Sequence, residues 1–571
     1  MRNGKIRKAL FAPAAALIGI LIFLAICGPE PLRFSGDGWM IHGIQGHDIM
    51  QHYTGWLFYR NSPWSFPLCK ALFLGYPEGT SIAYTDSIPL VALFFKLISP
   101  FLGERFQYFG MYQCFCYAAQ GFFAAILVWQ LTKDRLYAVI ASPLLIICSC
   151  FIERGFHHTA LASHWLLLAA MVLYFYMKDS LRLKSAALFW TLLLCAAIGI
   201  HPYLFAMVFG VFFISWVESF IKNRTDTLRF IPFFLTGIIV PLLLGFILGI
   251  FGTRLSPGSG FGTYGLNLNA IFNPVHSELD KWASLLPDRP IRSETIDGSF
   301  YLGLPVLIFA VLIILMICFD KQKAKKILKA CPGLIILMVL YTVFAFSDQV
   351  AFDGEIIFSY PLPDMVRQAA GVFRSSCRFF FLPYYGILLL SAVWIRGILF
   401  PKREELAIAC CLFLILLQAA DIFPGLKAIH TLLKPRYAQW ELVNDWNELA
   451  SRYDTAMTFD RVRDRSLAYW LGKNGFKTNI VITAAIHRNL YWERTAPDRA
   501  NLLRLLSEGD SLPDRNSIYL ISDETGDDRT FPDEQSLSEF LDRVRKNYQG
   551  QADLLYLPHE VKYYWVLCPR K

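Results

Sequence analysis

Apolar runs of about 15–20 residues recur along most of this chain, each long enough to cross a bilayer as a helix. They fall at roughly 9–27, 111–131, 136–152, 160–177, 186–200, 203–220, 231–250, 301–319, 332–347, 378–398 and 405–420. A backbone in hydrocarbon must satisfy its own hydrogen bonds, so runs of this kind predict an all-α polytopic membrane protein with about eleven transmembrane helices. Composition agrees: charged residues make up 17% of the chain, below the roughly 25% of soluble domains. The segment Ile88 to Leu102 differs from the rest. It carries Lys96 mid-run and prolines at 89 and 100, and reads as a re-entrant or interfacial segment with both ends on one side.

The formal net charge is +9. Much of the excess sits in short basic loops, which predicts cytoplasmic connections rather than nucleic-acid binding. These loops are Lys133–Arg135, Lys178–Lys184, Lys222–Arg229, Asp320–Lys329 and Arg396–Glu405. A basic N-terminus followed by apolar Ala9 to Cys27, with no small-residue cleavage site, reads as a retained signal anchor. The N-terminus is then inside. Residues 28–110, Glu153–Thr159, His201-Pro202, 252–300, 348–377 and everything after about 421 are outside. The thirteen cysteines lie mostly in apolar runs and show neither metal spacing nor a disulfide framework. A bridge among Cys69, Cys377 and Cys568 is left open.

After about 421 the charge density rises and long apolar runs stop. Ser517 to Ser522 and Val561 to Leu567 read as strands, and Arg499 to Glu508 as an amphipathic helix. The expected organisation is a membrane domain over 1–420 and a small mixed α/β domain over 421–571, extracytoplasmic by this topology. A lid, a carbohydrate-binding surface and a partner-docking module are all open roles for it.

Several polar clusters fall at the outer edge of the membrane. The first loop reads G-H-D-I-M-Q-H-Y-T-G-W, with His47, Asp48, Gln51 and His52 within six residues. In a helix, Asp48 and His52 share a face at i,i+4, with Gln51 beside them. Ionisable groups held near hydrocarbon are costly and point to a role. The alternative is a solvated loop. Asp86, in Y-T-D-S-I-P-L, reads first as the N-cap of the segment that follows, with a substrate role as the second reading.

The second loop, F-I-E-R-G-F-H-H-T-A-L-A-S-H-W, holds Glu153, His157, His158 and His164. His157 and His164 are two helical turns apart and are expected to face one site. Such a set can hold a divalent cation, or hydrogen-bond sugar hydroxyls or phosphate. No local ligand motif selects among these, so the metal is unknown. His201, before Pro202, either caps a helix or points at the same cavity. Arg374 and Arg378 stand at i,i+4 where the chain enters a span. Guanidiniums there suit phosphate oxygens, with interfacial snorkelling as the competing view. The stretch 252–300, rich in Gly, Ser and Asn, reads as a gating loop or as a linker.

Four segments carry a resemblance: D-I-M-Q-H…G-W…F-Y-R-N-S-P-W, Y-P-E-G-T-S-I-A-Y-T-D-S-I-P-L, H-T-A-L-A-S-H-W and F-R-S-S-C-R-F-F. Over about residues 1–420 the chain resembles the GT-C superfamily of membrane glycosyltransferases, and within it a bacterial group. The resemblance implies a multi-pass protein of the bacterial cytoplasmic membrane. It also implies a polyprenyl-phosphate-linked sugar donor and a glycan, lipid or protein acceptor. Asp48 corresponds to the catalytic acid of the first loop, serving as general base or helping to place a metal. Glu153 and the neighbouring histidines fall where further site residues occur, and Arg374 and Arg378 would bind the lipid phosphate. The W-W-D-type signature of oligosaccharyltransferases is absent and no paired acid stands directly beside Asp48, so metal dependence is open. Two other classes compete. One is a transporter or flippase of lipid-linked sugars. The other is a non-catalytic envelope assembly protein.

Overall fold

The computed structural model describes residues 10–570 except 42–47, 180–182, 224–226, 252–260, 263, 277–279, 292–296, 299, 321, 323–324, 326–328, 435–443, 484, 510–513, 528 and 560–561. His47 and the basic residues 1–8 lie outside the described residues. The chain is mostly helical and divides into two compact units.

The first unit comprises Met1–Arg33, Tyr108–Gly245 and Pro257–Leu433. Among its described residues lie the apolar helices. Among the described residues, five helices are long and apolar enough to cross a membrane: Phe109–Thr132, Leu183–Ile200, Pro202–Lys222, Leu228–Leu248 and Ser376–Leu399. Two bent pairs raise the number to as many as seven, Arg135–Leu145 with Ser149–Gly155 at 64° and Glu404–Asp421 with Phe423–Leu432 at 57°. Phe11–Cys27, Trp165–Lys178, Leu304–Phe319 and Pro332–Phe346 are shorter apolar helices. Each of the eleven expected runs therefore corresponds to a helix or a bent pair. Leu235, Ile239, Leu243, Leu312, Ile336, Leu340 and Phe413 are exposed on these helices, a surface suited to lipid and not to water. Helices Phe11–Cys27 and Phe109–Thr132 approach closely through Gly19 and Gly121. A Cβ on either would strike the other helix's backbone, at Tyr117 O and Ala15 O respectively.

Polar side chains pin one end of this bundle. Asp421 accepts hydrogen bonds from Tyr301 OH and Leu304 N, both at 2.8 Å. Gln418 Nε2 donates to Leu302 O at 2.9 Å and Tyr384 OH to Tyr301 O at 3.0 Å. These bonds fix the start of Leu304–Phe319 and, with it, the end of the preceding loop. Earlier parts of that loop are also bonded, Leu266 N to Ala345 O and Leu268 N to Ala351 O. Its described part is therefore tied down, unlike a linker.

The second unit comprises Phe34–Gln107, Phe246–Ser256 and Lys434–Lys571. The sequence boundary near 421 is thus not the boundary in space, because the first loop belongs with the tail. At its centre runs the helix Asp48–Asn61, with Ile49 to Tyr59 all buried. Trp56 Nε1 donates to Phe106 O at 3.0 Å. Lys96 Nζ donates to Tyr59 O at 2.7 Å and Ser62 O at 2.8 Å, satisfying carbonyls at the C-terminal end of that helix. Lys96 lies on the helix Pro89–Leu97, nine residues long. At ~14 Å it is too short to cross a bilayer.

The tail folds around a five-stranded sheet: β1 (Thr455–Thr458), β2 (Lys477–Thr478), β3 (Ser517–Ser522), β4 (Ala552–His559) and β5 (Lys562–Pro569), in the order β4-β5-β3-β1-β2. The β1/β2 and β1/β3 pairs are parallel, while β5/β3 and β4/β5 are antiparallel. Helix Arg465–Lys473 connects β1 to β2. Ala485–Arg494 and Ala496–Glu508 lead to β3, and Glu534–Asn547 leads to β4. Phe459, Leu506, Tyr519, Ile521, Phe540 and Val544 form the core. The mixed α/β reading, the strand over 517–522 and the amphipathic helix all appear. The first loop extends the sheet, since Leu74 bridges Thr478 in parallel, with Tyr76 N bonded to Thr478 O and Thr478 N to Phe73 O. All thirteen cysteines are free.

Candidate functional site

In the first unit the polar groups gather on one carboxylate. The helix Ser149–His157 carries Glu153 and Arg154, which are 4% and 3% exposed. Arg154 donates from Nη1 to Asp297 Oδ1 at 2.8 Å and from Nη2 to Asp297 O at 3.3 Å. Arg378 donates from Nη2 to Asp297 Oδ2 at 3.0 Å. Ser375 Oγ adds a bond to Oδ2 at 3.1 Å, and the Cys377 thiol donates to Asp297 O at 3.2 Å. Two guanidiniums therefore share one acid, and Glu153 lies 3.8 Å from Arg154. Burial pushes the Asp297 carboxyl up, but Arg378 and Arg154 outweigh it and hold it well below the usual carboxylate range. Tyr203 completes the arrangement: its OH accepts from Ser375 N at 2.9 Å, and its ring lies 4.9 Å under the Arg378 guanidinium.

Asp297 was not legible as a site residue. It is one of several acids in a polar loop, and no periodicity marks it. Arg378 was expected, but the helical i,i+4 relation to Arg374 does not hold. Residues 372–375 turn, and Arg378 sits in the 3-10 helix Ser376–Phe380. The Arg374 guanidinium instead lies 4.5 Å over the Tyr264 ring.

The histidines separate. His157 ends its helix, and the next helix begins only at Trp165. The chain turns between them, so the two-turn relation to His164 fails. His164 is buried, with Nδ1 2.8 Å from Tyr385 OH and its ring 4.3 Å from that of Phe381. Those contacts make it a packed core side chain. His158 is 7% exposed, and its ring is 6.4 Å from that of His201. His201 does cap: its Nδ1 accepts from Tyr203 N at 3.2 Å, starting the helix Pro202–Lys222. Capping and proximity to a second histidine thus hold together.

In the second unit the first-loop segment is helical from Asp48, so Asp48, Gln51 and His52 have the expected spacing. Gln51 and His52 are buried, while the Asp48 side chain is 43% exposed and accepts from Arg465 Nη2 at 3.1 Å. Arg465, at the start of a tail helix 417 positions on, had no local signal. Asp86 is not an N-cap. It sits at φ +56° closing the 3-10 helix Ile82–Thr85, and Ile88, at φ +55°, is the N-cap of Pro89–Leu97. A β-branched residue in left-handed conformation is strained and must be held. Ser87 Oγ does so, donating to His52 O at 2.6 Å and contacting Thr85 Oγ1 at 2.7 Å. Gly55 permits the approach, since a Cβ there would strike Thr85 Oγ1. The result places ligand atoms of His52 and Asp86 within 4.8 Å of each other, a separation at which one cation can take both.

A family model described as a domain of unknown function (DUF6311) matches residues 16–423. The chain belongs to the DUF6311 family. No curated protein matches it. Among solved structures it is similar to ArnT, a GT-C glycosyltransferase from Cupriavidus metallidurans, in a crystal structure bound to undecaprenyl phosphate. The likeness covers 98% of this chain and 97% of that one, at 10% identity and a TM-score of 0.38.

Proposed function

We propose that this chain is an integral membrane glycosyltransferase. It moves a sugar from a polyprenyl-phosphate-linked donor to an acceptor on the outer face of the bacterial cytoplasmic membrane, the acceptor being an envelope glycan, lipid or protein. The observation that carries this reading is the buried pair of guanidiniums, Arg154 and Arg378, in an apolar helical body. Glycosyl transfer breaks a sugar–phosphate bond, and negative charge grows on the departing phosphate. Two fixed guanidiniums stabilise that charge where little water competes. Asp297 is then their resident counter-ion, replaced when a donor phosphate arrives. Asp48 takes the proton of the acceptor as the new bond forms, and inversion at the anomeric carbon follows if it is the sole base. A divalent cation would find two ligands in His52 and Asp86. In this reading the eleven apolar helices and bent pairs all cross, the N-terminus is cytoplasmic and the tail is outside.

A transporter or flippase of lipid-linked sugars calls for polar groups at the midplane and a half-to-half repeat. Asp48 begins its helix and Arg378 stands where a candidate span begins, and the sequence has no evident repeat. The test is transfer of labelled sugar from polyprenyl-linked donors by the purified protein, with Asp48→Asn alongside. The expected result is turnover by wild type and a loss of about 100-fold or more in a variant that melts normally. Equal turnover removes Asp48 from the mechanism. Lipid translocation without sugar transfer favours the flippase, and a chain inert in both assays favours the assembly protein.

A further inference from the structure

The tail sheet reverses its strand order between β1 and β3: the chain goes from β1 outward to β2, then back past β1 to β3. In open α/β sheets, ligands bind outside the carboxyl ends of the strands at such a reversal. A cavity of about 350 Å³ lies at this place, lined by the segment after β1 (Asp460, Arg461, Arg463) and the segment after β3 (Glu524, Asp527, Arg529), with Arg499 and Lys562 beside them. Its size lies at the small end of ligand pockets and suits one sugar-sized molecule.

The lining is cationic. Five of these side chains are basic and three acidic, and the acids are partly engaged. Glu524 pairs with both Arg529 (2.6 Å) and Lys562 (2.8 Å), and Asp460 accepts from Ser522 N at 2.9 Å. Burial, the first cause, pushes the Asp460 carboxyl up. Arg461 and Arg463 are different. Both are exposed, and among the described residues neither takes part in an ion pair. Their guanidiniums lie 5.8 and 5.2 Å over the Trp492 ring, which fixes the side chains while leaving their donors for a ligand.

We propose that this cavity is a binding site for a sugar-sized anion bearing a phosphate or carboxylate. Arg461 and Arg463 grip the anionic group. The parallel strand ends and the loop after β3 enclose the remainder.

The test is equilibrium binding of glucose 1-phosphate, glucuronate and glucose to the full chain in phosphatidylcholine nanodiscs. At least one of the two anions should bind and neutral glucose should not. The stronger of the two identifies the group as phosphate or carboxylate. An Arg461→Gln/Arg463→Gln double variant should weaken that binding by about tenfold or more. Failure of both anions to bind wild type, or equal affinity in the double variant, overturns the proposal. Should the double variant prove unstable, Asp527→Asn decides. Removing one carboxylate from the wall should tighten binding severalfold, and unchanged affinity overturns the proposal.

Discussion

Replacing Asp297 with asparagine keeps the shape of the side chain and removes the charge that two buried arginines share. The contacts at stake are those at 2.8 Å to Arg154 and 3.0 Å to Arg378, whose side chains are 3% and 10% exposed. Breaking a buried ion pair by removing one partner costs about 3–5 kcal/mol. The Asp297 side chain is 22% exposed, and an asparagine oxygen can still accept from Ser375, so the expected loss falls to about 2–4 kcal/mol. Thermal unfolding of the purified protein, followed by tryptophan fluorescence, should show a midpoint lower by several degrees. Inorganic phosphate should then raise the midpoint of the variant more than that of wild type, because the arginines accept a substitute anion. Adding Arg154→Gln and Arg378→Gln to Asp297→Asn should recover part of the loss, since no buried cation is left unpaired. The pH sense follows from the depressed carboxyl. The stability it contributes is present above its ordinary value of 3.8 and is lost as pH falls through the lower folded value. A midpoint equal to wild type at neutral pH, with no phosphate response, would refute the view that Asp297 is the counter-ion of this pair.

Asp464 caps the helix Arg465–Lys473 through Leu467 N at 3.0 Å and accepts from Tyr564 OH at 3.0 Å. Asp464→Ala should cost about 1–2 kcal/mol, read as earlier loss of tail protection in hydrogen exchange. Burial raises this carboxyl, but His559, whose Nδ1 lies 3.5 Å away, and the bonds from Leu467 N and Tyr564 OH lower it overall. Its contribution is thus present above 3.8 and fades as pH drops through the folded value. Gly55→Ala should push the segment carrying Asp86 away from the helix. Sugar transfer should fall by about tenfold or more, since distances near 1 Å matter to such geometry, and overpacking should cost about 1–3 kcal/mol of stability as well. His164→Phe removes the bond to Tyr385 while keeping an aromatic ring. It should destabilise by about 1–2 kcal/mol and leave turnover per folded molecule unchanged, as a packed side chain and not a ligand would.

The membrane helices were legible because an apolar run in lipid has one solution, and the expected positions lie within a few residues of the observed helices. The helix bearing Asp48 and His52 was legible for the same local reason. Spacing misled wherever the chain left the α-helix. His157 and His164 are separated by turns, and Arg374 and Arg378 by a bend entering a 3-10 helix. Asp86 closes a turn where a cap was expected, because a left-handed Ile88 takes the helix start. The carboxylate that organises both arginines came from a loop whose composition said only that it was polar. Arg465 reaches Asp48 from a distance along the chain over which no local pattern extends.

The second unit also sets a time. Asn61 Nδ2 bonds to Gly472 O, 411 positions further along. At a synthesis rate of about 5–20 residues per second, some 20–80 s separate the emergence of these two partners. Throughout that interval the helix Asp48–Asn61 lacks the tail contacts that complete its unit, and the intervening apolar helices are being made. Biogenesis of this chain therefore includes a waiting period for its first loop, which lasts until the segment around Gly472 has been made.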